Sequence, residues 1–118
     1  MSRRTEKIGE QLRAEIARIF LEDATDPRIP FITLTRVDVA PDLSNAVVFW
    51  SAMDVRDADS AEQTQQVLES AAAFVRRQLA QALPLRRVPA LQFRFDPSLV
   101  LGTDTLSLLR SLADEEKT

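Results

Sequence analysis

The chain has 118 residues, 45% of them hydrophobic and 28% charged, with a formal net charge of −3, the usage of one ordinary globular domain. It contains no cysteine and no histidine, which excludes disulfides, thiolate chemistry, zinc held by Cys/His ligands and the usual general base. Gly9 and Gly102 are its only glycines, so no glycine-rich phosphate loop exists, and no apolar run approaches the ~18 residues of a membrane span.

Residues 4–22 carry Ile8, Leu12, Ile16 and Ile19 at helical spacing, widened by Phe20. Gly9 lies inside that pattern, where glycine costs about 1 kcal/mol against alanine, so it marks a close contact. Pro27 and Pro30 in "DATDPRIP" forbid continuation of the helix. "FITLTRVDVA" then alternates as a strand, but its phase slips: Ile32 and Leu34 are even, Val37 and Val39 odd. One face can bury both pairs only with an extra residue, which predicts a β-bulge near Thr35–Arg36. "PDLSN" is turn chemistry. "AVVFWSAM" returns as the second strand, with Ala46, Val48, Trp50 and Ala52 facing in. Val47 and Phe49 are left on the other face, an apolar surface that core packing does not explain.

Ser60 with Gln63 fits a capping box, so a helix is expected from about Ala61 to Leu83, before Pro84. Its buried stripe is Leu68, Ala71, Val75, Leu79 and Leu83, flanked by Val67, Phe74 and Ala82. Ser70, Ala73, Arg77 and Ala80 trace another face, with Arg76 beside it. "ALQFRF" reads as a third strand with Leu91, Phe93 and Phe95 on one face and Gln92 and Arg94 on the other. Asp96-Pro97 is a cap pair, and "TLSLLRSL" supplies a short C-terminal helix using Leu106, Leu109 and Leu112. The order helix, strand, strand, long helix, strand, short helix gives an α+β sheet covered by helices, a single domain over 1–118 with frayed ends at about 1–3 and 113–118.

The charges are segregated. Between Ser70 and Phe95 lie Arg76, Arg77, Arg86, Arg87 and Arg94 with no acid, whereas Asp54–Glu69 holds five acids and only Arg56. Asp54, Asp57 and Asp59 lack the glycine and ligand spacing of a calcium loop and read as a solvated loop. No enzyme, cofactor or metal is expected. The charged start "MSRRTEKIGE" has no apolar h-region, so a cytoplasmic protein is expected.

Several strings, taken in order, resemble the ribosome-binding factor A family over roughly residues 3–112. They are "DPRIPFITLTRVDVAPDLSNAVVFWS", "SAAAFVRRQLAQAL", "LRRVPALQFRFD" and "DPSLVLG". The resemblance implies a type II KH-like fold of helix, strand, strand, kinked helix pair and strand. It also implies a non-enzymatic bacterial maturation factor that binds the free, immature 30S subunit and its 16S rRNA and assists late rRNA processing and folding. The family carries an Ala-x-Gly at an interhelical kink in place of a GxxG loop. The matching positions are Ala71, Ala72 and Ala73, so a break is expected over Ser70–Ala73. Family positions that are often Gly, basic and Arg are here Pro30, Val47 and Asp104, which narrows the expected RNA surface.

The expected RNA-binding centre is Ala73, Arg76, Arg77 and Ala80, extended by Arg86 and Arg87 and joined by Arg4 and Lys7. Arginines pair phosphate oxygens or stack on bases, and small residues beside them let the RNA backbone approach. A solvated helix face is the plain reading of the same arginines without the resemblance. The competing function is a protein-interaction adaptor with no RNA binding, favoured by the net negative charge and the apolar outer strand face. Either way a monomer is expected.

Overall fold

A computed structural model describes residues 3–22, 29–53, 55 and 57–97. Helix α1 (Arg3–Glu22) is followed by a single 3₁₀ turn at Ile29–Phe31 and the antiparallel strands β1 (Ile32–Val39) and β2 (Asn45–Ala52). Helix α2 (Ala58–Ala82) then crosses to β3 (Ala90–Phe95), which pairs parallel to β2, so the sheet order is β1-β2-β3. The expected C-terminal helix, with Gly102 and Asp104, lies outside the described residues, as do Asp54, Arg56 and Pro27.

Both helices cover one face of the sheet. From α1, Leu12, Ile16, Ile19 and Phe20 are buried against Leu34, Val37 and Val39 of β1 and Ala46, Val48, Trp50 and Ala52 of β2. Burial of each large side chain among them contributes roughly 1.5–3 kcal/mol. The phase slip in β1 is resolved as the alternation requires: Leu34 pairs with Trp50 and Arg36 with Phe49, leaving Thr35 as the extra residue of a bulge. Trp50 is fully buried, and its ring meets Phe95 edge-on at 5.0 Å. Its Nε1 donates to Gln65 Oε1 at 2.8 Å, and Gln65 Nε2 donates onward to the Phe93 carbonyl at 2.5 Å. The buried indole N–H is thereby satisfied, and α2 is tied to the two strands beneath it.

Gly9 is buried where α1 crosses β1. A Cβ there would lie 2.6 Å from the Val37 carbonyl oxygen, a backbone atom with little room to yield. The close contact expected from the sequence is this crossing.

Two expectations for the long helix are corrected. It starts at Ala58, a turn earlier than expected, because Asp57 and not Ser60 is the N-cap. The Asp57 carboxylate accepts the Ser60 backbone N–H at 2.8 Å, and the Ser60 hydroxyl accepts the Asp57 N–H at 3.2 Å, closing a reciprocal box. That carboxyl is held below its ordinary pKa by the Ser60 backbone and side-chain hydrogen bonds. The break expected over Ser70, Ala71, Ala72 and Ala73 is absent: α2 is one helix of 25 residues. Alanine is the best helix former and offers none of the freedom of the family's glycine, so nothing in the run interrupts the helical ladder. At about 1.5 Å per residue the helix is roughly 37 Å long. It stops at Leu83, which is extended, directly before Pro84. Ala82, expected to flank the buried stripe, is exposed.

Candidate nucleic-acid interface

The chain path brings the basic residues to one end of the molecule. Gly9 lies against Val37 and Val39, so the first turns of α1 sit over the end of β1 that leads into the hairpin turn. Helix α2 runs the other way and finishes beside that turn. After it, residues 83–89 descend to β3, whose Ala90 pairs with Asn45 and donates to the Ser44 carbonyl at 3.0 Å. Arg4 and Lys7 on α1, Arg77 near the end of α2, and Arg86 and Arg87 on the connecting loop are all exposed at this end. None of these five makes a salt bridge among the described residues, whereas Arg13 and Arg18 in the middle and last turns of α1 are paired with Glu10, Glu15 and Glu22. Most of the unpaired cations among the described residues therefore collect at one pole, while the paired Arg13 and Arg18 lie away from it.

Arg76 has a narrower role than expected. It is exposed, but its Nη2 donates to the Val88 carbonyl at 3.2 Å, so it anchors the loop that carries Arg86 and Arg87. Ala73 and Ala80 are exposed on the outer face of α2 with Arg77, while Ala71 and Ala72 are half-buried and packed against the core. The "SAAAFVRR" run thus divides by face: Ala71, Ala72 and Val75 hold the helix to the core, and Ala73 and Arg77 face out. With no side chain beyond Cβ, Ala73 and Ala80 leave the flank of Arg77 open to close approach.

Sequence reasoning omits two features of this pole. Arg3, the first residue of α1, is exposed beside Arg4 and shares its position; its adjacency to Arg4 is the available signal. The hairpin turn contributes an acid, Asp42, whose Oδ1 accepts from the Ser44 hydroxyl at 2.7 Å and backbone N–H at 3.1 Å. These bonds, with a smaller contribution from the Arg87 charge, hold its carboxyl below the ordinary range. Leu43, the next residue, has φ 62°, a left-handed conformation unusual for leucine.

Of the three acids in the candidate cation loop, Asp57 is engaged as the helix cap. Among the described residues no group of His, Cys, Asp or Glu gathers in a way that could hold a metal ion. Among the same residues no helix is long and apolar enough to cross a membrane.

The family model for ribosome-binding factor A matches residues 4–109. The ribosome-binding factor A of Pseudomonas syringae pv. syringae is 39% identical over 113 residues, which cover 96% of this chain and 82% of that protein. The crystal structure of ribosome-binding factor A from Thermus thermophilus superposes with a TM-score of 0.63 at 26% identity, covering 76% of this chain and 93% of that one. A second Thermus thermophilus coordinate set, fitted into the electron cryo-microscopy map of a 30S complex of that factor, gives 0.64 at 24% identity. It covers 81% of this chain and 99% of that one. The three-stranded sheet under two helices is the KH-like α+β arrangement of these neighbours. On the match across residues 4–109 and the identity to its relatives, this chain belongs to the ribosome-binding factor A family.

Proposed function

We propose that this protein is a ribosome biogenesis factor that binds the immature 30S subunit through its 16S rRNA and assists late processing and folding of that RNA. The observation that carries the reading is the basic pole. Exposed Arg4, Lys7, Arg77, Arg86 and Arg87, unpaired among the described residues, are brought together from three separate segments in a member of a family named for binding ribosomes. A relative's coordinates fitted into a 30S complex support the same partner. Guanidiniums spread over a pole about as wide as two helices suit phosphates that follow the shape of a folded RNA. In this reading the protein acts by holding RNA. The adaptor reading is not favoured, because it leaves the concentration of free cations at one end without a purpose.

The test is co-sedimentation with free small subunits. Arg77→Glu with Arg86→Glu reverses two unpaired charges and leaves Arg76 on Val88, so the far-ultraviolet circular dichroism is expected to be unchanged. Co-sedimentation with 30S particles is expected to be lost. Retention of the double variant in the 30S fraction at wild-type level would remove the basic pole as the binding surface.

A further inference from the structure

The face of the sheet turned away from the helices carries a row that the basic pole does not use. Strand register places Arg36, Phe49 and Arg94 side by side across β1, β2 and β3. The Arg36 guanidinium carbon lies 4.2 Å from the centroid of the Phe49 ring. Its Nε donates to Asp38 Oδ2 at 3.2 Å, which fixes the plane, while the Arg36 side chain keeps 60% of its surface exposed. On the other side of Phe49, Arg94 is exposed and has no hydrogen bond or ion pair among the described residues. Val47 continues the half-exposed strip between Asp38 and Gln92.

We infer that this outer sheet face is a second RNA contact, which stacks an unpaired base on the Arg36–Phe49 pair and sets Arg94 against a neighbouring phosphate. The inference rests on the reading that the protein binds RNA. Two cations flank the ring, and a guanidinium both stacks on bases and pairs phosphate oxygens. The nearby carboxylates are already engaged, Asp38 by Arg36 and Asp96 by the Thr35 hydroxyl at 2.7 Å, so they leave Arg94 free for an external anion. A stable protein interface takes about 20–30 residues a side, far more than the row of Arg36, Val47, Phe49 and Arg94 supplies. A single base needs one ring. Stacking also ignores base identity, so the site would hold single-stranded RNA with little sequence preference.

The experiment measures binding of the full chain to a fluorescein-labelled ten-nucleotide oligoadenylate and to an abasic oligomer of equal length and charge. The expected result is tighter binding of oligoadenylate. Phe49→Leu keeps the apolar fill but removes the ring, and is expected to weaken oligoadenylate about tenfold while leaving the abasic oligomer unchanged. Arg94→Gln, a surface change that spares the fold, is expected to weaken both oligomers and to lower the salt dependence by about one unit of slope. Equal wild-type affinity for the two oligomers, or no effect of either variant, overturns the inference. So does loss of 30S co-sedimentation by these variants with oligomer binding intact, because the face would then meet protein. The ribosome reading fails by a different variant and readout, namely intact co-sedimentation when Arg77 and Arg86 are reversed.

Discussion

Between α1 and β1 the spacing is set by a missing atom. A Cβ on Gly9 would stand 2.6 Å from the Val37 carbonyl oxygen, with Val39 also within contact, so helix and strand must separate to admit it. Alanine would gain about 1 kcal/mol of helix propensity. Overpacking at a tight backbone contact costs about 1–3 kcal/mol, and here it disturbs the buried row of Leu12 and Ile16 as well. Gly9→Ala is therefore expected to destabilise the fold by about 1 kcal/mol net, read as a lower urea midpoint with an unchanged m-value. A stabilised variant would show that the helix does not rest on the strand. This contact is legible in the sequence because a glycine inside an apolar helical stripe is anomalous. The bond from Arg76 to the Val88 carbonyl is not legible, because it joins residues 12 apart through a loop whose path no local pattern encodes. It divides the paired arginines of the sequence into one that positions the loop and one, Arg77, that is free.

Patterns of period two are more legible than the internal geometry of the long helix. The bulge at Thr35 follows from a phase slip because strand side chains alternate strictly, so a single extra residue is the only repair. Local pattern places the start of α2 a turn late because Ser60 and Asp57 both take part in the cap and only geometry tells which residue is outside the helix. The expected kink comes from a family glycine that this chain lacks, and alanine's propensity decides the outcome. Exposed Ala73 is therefore an ordinary helix-interior position, and Ala73→Gly is expected to cost about 1 kcal/mol with reduced helical circular dichroism. A glycine that left stability unchanged or raised it would mean that the native segment is bent at Ala73.

Across the whole molecule, a net charge of −3 conceals a division between two poles. Glu22 at the end of α1 and Asp57, Asp59 and Glu62 at the start of α2 are exposed at the pole opposite the hairpin turn, where α1 ends and α2 begins. The segregation of charge along α2 is visible in the sequence, but only the antiparallel run of α1 beside it could bring Arg4 and Lys7 to the arginines. Such a polarised protein approaches an RNA surface with its basic end leading, and its affinity depends on counterions released from phosphates. If Arg4, Lys7, Arg77, Arg86 and Arg87 each neutralise one phosphate, the slope of log affinity against log salt is about −3.5 to −4.5 between about 50 and 200 mM. Arg77→Gln is then expected to reduce the slope by about one and to weaken binding to different RNA sequences alike, because a phosphate contact carries no sequence information. Arg13→Gln, which breaks a pair with Glu10 away from the pole, is expected to leave the slope unchanged. Affinity for small subunits that does not vary with salt would place the binding energy in protein contacts. A slope lowered equally by Arg77→Gln and Arg13→Gln would make the net charge, and not the basic pole, the source of the attraction.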